Sequence, residues 1–263
     1  MRAGRSRTIS AGCAALAATA LCLGASSAPA LAEHPLEPDL VTVKLQESEL
    51  QVAQDGKKTL LRLANRVGNT GQGPLEIAPG SEKTDCDGDG DSTDELMGFQ
   101  RIYTHSWVPG LSSNTFTSDD IGCVIYHPQH SHWHVASIAR YSLFDEVTGE
   151  LTDGNKVGFC LLDSGSISGS GDSFYNATGC GSPDDLPTLT GISPGFFDLY
   201  SAFTPGQRIN ITNLDPGKYC LRSKANPDST LVETTIDNNV AEMRVKLNPE
   251  RGVIKKVSRN CAL

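Results

Sequence analysis

The chain has 263 residues, of which 38% are hydrophobic and 20% charged, a balance that supports a buried core and argues against disorder. Its 22 basic side chains face 31 acidic ones, a formal net charge of −9, so the basic footprint that phosphate binding requires is excluded. The same field favours a cationic, amine-bearing partner.

Residues 1–32 read as a secretory leader. Arg2, Arg5 and Arg7 make a basic start, Ile9 to Gly24 is small and apolar, and Ala30-Leu31-Ala32 offers a small-x-small cleavage pattern. That run is shorter than the roughly 20 apolar residues of a membrane span. Without the three leader arginines, 19 basic side chains stand against 31 acidic ones, a net charge of −12. Residues 33–263 are expected to form a single extracellular domain. Cys13 and Cys22 leave with the leader, and Cys86, Cys123, Cys160, Cys180, Cys220 and Cys261 remain, without any C-x-x-C spacing. An even set in an exported chain predicts up to three disulfides rather than a zinc ribbon or a redox dithiol. Cys160–Cys180, closing a Gly/Ser-rich loop, is the preferred pair, and the others stay open.

From Leu40 onward the pattern is β. Predicted strands cover Leu40 to Leu45, Leu61 to Leu63, Leu75 to Ile77, Val135 to Phe144 and Val157 to Leu162. Three more follow at Arg208 to Thr212, Lys218 to Ser223 and Val240 to Leu247. Asp55-Gly56, Asp153-Gly154 and Asp215-Pro216-Gly217 supply turn chemistry, and no long stretch carries a helical apolar stripe. The expected fold is mainly β, an antiparallel sandwich-like core with long loops and little helix.

Two inserts interrupt it. Asp85, Asp87, Asp89 and Asp91 alternate with small residues, as in the first half of an EF-hand-like calcium loop. The twelfth position is Leu96, however, and Glu95 falls one short, so a solvated acidic loop tethered by Cys86 is the competing reading. Ser164 to Gly181 reads as a flexible Gly/Ser-rich loop.

Four of the six histidines lie within eight residues, in His127-Pro128-Gln129-His130-Ser131-His132-Trp133-His134. On a helix, His130 and His132 would point to nearly opposite sides. On a strand, His130, His132 and His134 share one face, but the outer two are about 13 Å apart at the backbone. Bonds of about 2 Å to one metal then need a bend, or one histidine arriving at an angle, and Pro128 is compatible with that. Clustered neutral imidazoles select copper, zinc, nickel or iron over calcium, and an oxidising setting favours copper(II).

The His130 to His134 run, continuing to Tyr141-Ser142-Leu143-Phe144-Asp145, resembles the copper-binding segment of the lysyl oxidase family. Gly154-Asn155-Lys156-Val157-Gly158-Phe159-Cys160-Leu161-Leu162-Asp163 is similar to the segment around that family's cofactor lysine. Gly191-Ile192-Ser193-Pro194-Gly195-Phe196-Phe197-Asp198-Leu199-Tyr200 resembles the one ending in its cofactor tyrosine. Asp215-Pro216-Gly217-Lys218-Tyr219, Asn226-Pro227 and Asp237-Asn238-Asn239 follow in the family's order. The resemblance spans about Tyr103 to Val245 and implies copper held by His130, His132 and His134. It also implies a lysyl-tyrosylquinone made from Lys156 and Tyr200, and oxidation of peptidyl-lysine ε-amines by dioxygen to aldehydes, with ammonia and hydrogen peroxide released. In chemical terms, a phenol beside Cu(II) is drawn toward its phenolate and oxidised to a quinone, to which a lysine adds.

The reaction needs a base. Asp198 shares a face with Tyr200 if the segment is extended, and is nominated as base or as orienter of the quinone. Its competing role is to pin the Ser-Pro-Gly turn. His127 is either an outer-sphere neighbour of the copper or an ordinary surface residue. The sequence also departs from the family. Gln129 stands where animal members have a cysteine before the first copper histidine, Phe196 lies near another missing cysteine, and Trp133 replaces the usual tyrosine. Cys160 and Cys180 match one family pair. Two rivals stand beside this reading: a histidine-bound metal oxygenase with no need of Lys156 and Tyr200, and a non-catalytic metal-binding or adhesion module.

Overall fold

The computed structural model describes residues 34–154, 157–167 and 171–261; the leader segment and Lys156 lie outside the described residues. The first strands are β1 (Leu40–Thr42), β2 (Leu50–Asp55), β3 (Lys58–Leu63), β4 (Asn65–Asn69) and β5 (Leu75–Lys83). Then come β6 (Glu95–Tyr103), β7 (Phe116–His127), β8 (His132–Asp145), β9 (Leu151–Asp153), β10 (Val157–Phe159) and β11 (Gly165–Ser166). The chain closes with β12 (Thr190–Ile192), β13 (Phe196–Tyr200), β14 (Arg208–Asn210), β15 (Gly217–Ala225), β16 (Val240–Asn248) and β17 (Val253–Ser258). Two short 3-10 turns, Glu47–Glu49 and Ala177–Cys180, are the helical content of the described residues.

Every ladder is antiparallel, so the expectation of a mainly β fold with little helix holds. The largest sheet runs β12-β5-β6-β7-β8-β15-β16-β17, with β9 and β10 also on β8. A second sheet runs β1-β4-β13-β11 and a third β14-β3-β2. The eight predicted strands fall on β1, β3, β5, β8, β10, β14, β15 and β16, with shifted ends. β6 and β7 escaped prediction for a physical reason. Their ladder slips at Gly98, Gly122 sits at φ 87°, and the first five residues of β7 are exposed, so no apolar alternation develops.

β8 organises the molecule. Its first four residues pair with β7, and beyond Ser137, at φ 57°, Ala139 pairs with Ala225 of β15 on one edge and Val157 of β10 on the other. Leu61, Leu63, Val67, Tyr141, Leu143, Phe159, Leu161, Ile209, Leu221 and Val245 belong to one buried cluster that joins the three sheets. Each such side chain contributes about 1.5–3 kcal/mol by leaving water.

The six cysteines pair as Cys86–Cys123, Cys160–Cys180 and Cys220–Cys261, with Cα separations of 5.7, 5.5 and 5.5 Å. The preferred pair is present, and the other four cysteines resolve into two bonds. These tie the acidic loop to β7, and β15 to the segment after β17. No helix among the described residues is long and apolar enough to cross a membrane.

Candidate metal centre and active site

The hairpin between β7 and β8 builds the histidine cluster. His127 pairs with His132 and Ile125 with His134, so only residues 128–131 turn the chain. The amides of His130 and Ser131 both donate to the His127 carbonyl, at 3.0 and 2.9 Å, and Ser131 takes φ 58°. His130 therefore arrives from the turn, while His132 and His134 project from one face of β8. This removes the reach problem of a straight strand. His134 Nε2 lies 3.0 Å from His130 Nδ1 and 3.0 Å from His132 Nε2. Gly158 lets β10 close over this point, because a Cβ there would sit 2.9 Å from the Val135 carbonyl oxygen and 3.1 Å from His134 Cβ.

The electrostatics suit a cation. Burial first, then the neighbouring His130, His132 and His127, hold His134 down to about 2, and burial also lowers His130 and His132. All three imidazoles are neutral at physiological pH and keep their lone pairs. The Pro205 carbonyl accepts from His130 Nε2 at 3.1 Å, which leaves the lone pair of Nδ1 facing His134. One imidazole nitrogen from each residue lies within 4.8 Å of the other two. Three neutral nitrogen donors converging on one point fit a borderline divalent ion such as copper. His127 stacks beside this set, its ring 4.2 Å from His130 and 4.9 Å from His134, and contributes no nitrogen to it.

Tyr200 ends β13 against the cluster. Its ring centroid is 5.9 Å from that of His134, 6.2 Å from that of His130 and 4.2 Å from that of Phe159. The phenol oxygen accepts the Cys160 amide at 2.8 Å. Burial, then Asp198 and Tyr141, push the phenol well above its usual range, and the Cys160 amide opposes them. Ionising this phenol needs a nearby positive charge, which a metal at the imidazoles would supply.

Asp198 lies two residues earlier on the extended β13, and it and Tyr200 are buried while Phe197 and Leu199 alternate with them. Burial pushes its carboxyl up to about 8, against the hydrogen bonds of Ser164 and the Leu199 amide. Oδ1 accepts the Ser164 hydroxyl at 2.9 Å, and Oδ2 is buried with no partner. The turn-pinning role belongs to Asp163 instead, which accepts Ser193 N at 2.8 Å and Ser193 Oγ at 2.7 Å. Asn65 Nδ2, the Tyr141 hydroxyl and both amide atoms of Gln207 are likewise buried without partners. An open cavity of about 520 Å³ is lined in part by His130, His132, Ser164, Asp198 and Tyr200.

Sequence reasoning missed Asp163, Ser164, Asn65, Tyr141 and Gln207 as parts of this neighbourhood. Only Asp163 and Ser164 had a local signal, as the last residue of the cofactor-lysine segment and the first of the Gly/Ser-rich loop. Lys156 falls between Gly154, whose amide donates to the Tyr141 carbonyl at 2.8 Å, and β10, and lies outside the described residues.

The acidic loop is built differently. Carboxylate oxygens of Asp85, Asp87 and Asp89 lie within 4.8 Å of one another, and all three residues are exposed. They accept amides of the loop itself, Asp85 from Gly88 and Gly90, Asp87 from Asp89, and Asp89 from Asp91. Asp91 turns to Thr93, and Glu95 is buried at the start of β6, accepting the amides of Cys86 and Asp87.

Fold and site together describe an all-β protein in which three histidines that could hold a metal lie beside a buried tyrosine. A model of the lysyl oxidase family matches residues 113–260, more than half of the chain, and His130, His132, His134, Asp198 and Tyr200 all fall inside that match. The chain belongs to the lysyl oxidase family, a family of copper-dependent amine oxidases. A search of curated proteins returns no match.

Proposed function

We propose that the chain is a secreted copper amine oxidase that converts primary amines, foremost the ε-amines of peptidyl lysine, to aldehydes with release of ammonia and hydrogen peroxide. His130, His132 and His134 hold the copper, Lys156 and Tyr200 are the precursors of the quinone, and Asp198 is the base. One observation carries this reading: the Tyr200 ring lies against two imidazoles of a convergent neutral trio, with its phenol oxygen held by the Cys160 amide. When bound, copper would draw the phenol toward phenolate for oxidation by dioxygen, and the quinone formed with Lys156 would serve as electron sink for the amine.

The chain's own residues do the remaining work. Burial raises the Asp198 carboxyl to about 8, so its carboxylate, the form that takes a proton, grows in as pH rises through that value. An amine would approach through the open cavity that Tyr200 and Asp198 help to line. The three disulfides are consistent with an oxidising compartment, which supports export. Net negative charge favours approach of a cationic substrate.

Peptide mapping of copper-loaded, air-exposed protein tests the proposal. A single crosslinked peptide joining Lys156 to Tyr200 is expected. Two separate, unmodified peptides in protein that oxidises amines would reject the cofactor. Lys156→Ala and Tyr200→Phe should each abolish peroxide release while copper stays bound.

A further inference from the structure

Asp163 and Ser164 follow the Cys160 segment in irregular backbone, yet both are fully engaged. Asp163 accepts from Ser193 N and Oγ, and also from the amides of Phe174 and Tyr175 at 2.8 and 3.1 Å. This clamp holds the segment against the turn before β13. The Ser164 amide then donates to the Phe197 carbonyl at 2.9 Å. Its hydroxyl accepts the Leu199 amide at 3.0 Å and donates to Asp198 Oδ1 at 2.9 Å. A hydroxyl has one hydrogen, and with the Leu199 amide on a lone pair that hydrogen is directed at Asp198.

The other carboxylate oxygen is in the opposite condition. Oδ2 has no hydrogen-bond partner although it is buried, and Asp198 lines the cavity together with Ser164 and Tyr200. We infer that Ser164 is a positioning residue for amine oxidation: its hydroxyl holds Asp198 by Oδ1 and so presents Oδ2 as the atom that takes the substrate's α-proton. The inference rests on the proposed reaction with Asp198 as base. In that step the substrate's α-C–H bond breaks and the proton goes to Oδ2. The quinone that Lys156 and Tyr200 would supply would accept the electron pair of that bond, with dioxygen as the terminal oxidant.

Other groups that act on Asp198 are Asp163, which raises its pKa, and the neutral phenols of Tyr141 and Tyr200. Arg66 lies over the Phe197 ring on the opposite face of β13 and is paired with Glu49. Ser164 is therefore the neighbouring side chain that lowers the carboxyl's pKa by a hydrogen bond.

The test compares Ser164→Ala, Ser164→Thr and Asp198→Asn. Ser164→Ala should lower kcat about 10- to 100-fold with KM nearly unchanged, the scale of a misplaced catalytic group. Its acid limb should move to higher pH, because the lost hydrogen bond favoured the carboxylate. Ser164→Thr, which keeps the hydroxyl, should restore both. Metal-free protein gives a readout independent of turnover. The fall of Tm with rising pH should extend to higher pH in Ser164→Ala than in wild type, and this extension should vanish in the Asp198→Asn background. Wild-type kcat and an unshifted Tm–pH curve in Ser164→Ala, with Asp198→Asn inactive, would overturn the positioning role alone. Retained turnover in Asp198→Asn would overturn the base assignment and the inference with it.

Discussion

Two stretches of this chain are equally dense in metal-ligand side chains, the hairpin around His130 to His134 and the loop from Asp85 to Glu95. In the first, the nitrogens converge and face one another, with His134 buried, His130 and His132 partly so, and Pro205 accepting from His130. In the second, the carboxylates are exposed and already accept the amides of their own loop. The difference lies in what the donor atoms are already bonded to. Three neutral imidazoles pressed together have nothing to gain from one another and much from a shared cation. Carboxylates engaged by amides and water start from a satisfied state.

The strongest way to break that contrast is to remove a ligand from each side. His132→Ala or His134→Ala should reduce bound copper from one equivalent to near none by elemental analysis, with all turnover lost. Asp198→Asn should keep the copper and lower turnover at least about 100-fold, the usual scale for a lost base. The same variant should raise Tm, since a buried carboxyl titrating at about 8 opposes folding once the unfolded chain ionises it. The sign is set by the raised folded pKa: the Tm gap widens from pH 4 to 8 and is flat above. For the wild type, turnover should climb as pH rises through about 8, and a profile flat from pH 6 to 9 would exclude Asp198 as the base. Phe159→Ala, which empties a fully buried site against the Tyr200 ring, should cost about 3–5 kcal/mol in denaturant unfolding. The smallest effect belongs to the acidic loop. A triple Asp85, Asp87, Asp89→Asn variant should leave copper content and turnover at wild-type levels.

Much of the site could be read along the chain. Alternation at His130, His132 and His134 pointed to the cluster that the hairpin brings together, and a two-residue spacing put Asp198 on the same face as Tyr200. The turn that lets His130 come in from outside the strand was indicated only by Pro128, because its geometry depends on where β7 stops pairing with β8. Asn65 and Gln207 carried no pattern at all, and Ser164 only its place after the cofactor-lysine segment. Asn65 meets Tyr200 across the β4–β13 ladder, and Ser164 meets Asp198 at a separation of 34 residues. The strands β6 and β7 were hidden by Gly98 and Gly122, where the ladder slips and the apolar period breaks. The class of fold needed no such detail, since short runs broken by turn residues already exclude helices.

Cys160 deserves a last consequence, since its two ends serve different masters. Its sulfur is bound to Cys180, while its amide steadies the phenol oxygen of Tyr200. Formation of that disulfide and the seating of the tyrosine are thereby tied together. A chain made among reducing thiols would keep its three imidazoles but hold the ring through a segment with no covalent tie, so assembly of the histidine cluster and seating of the tyrosine become separable stages.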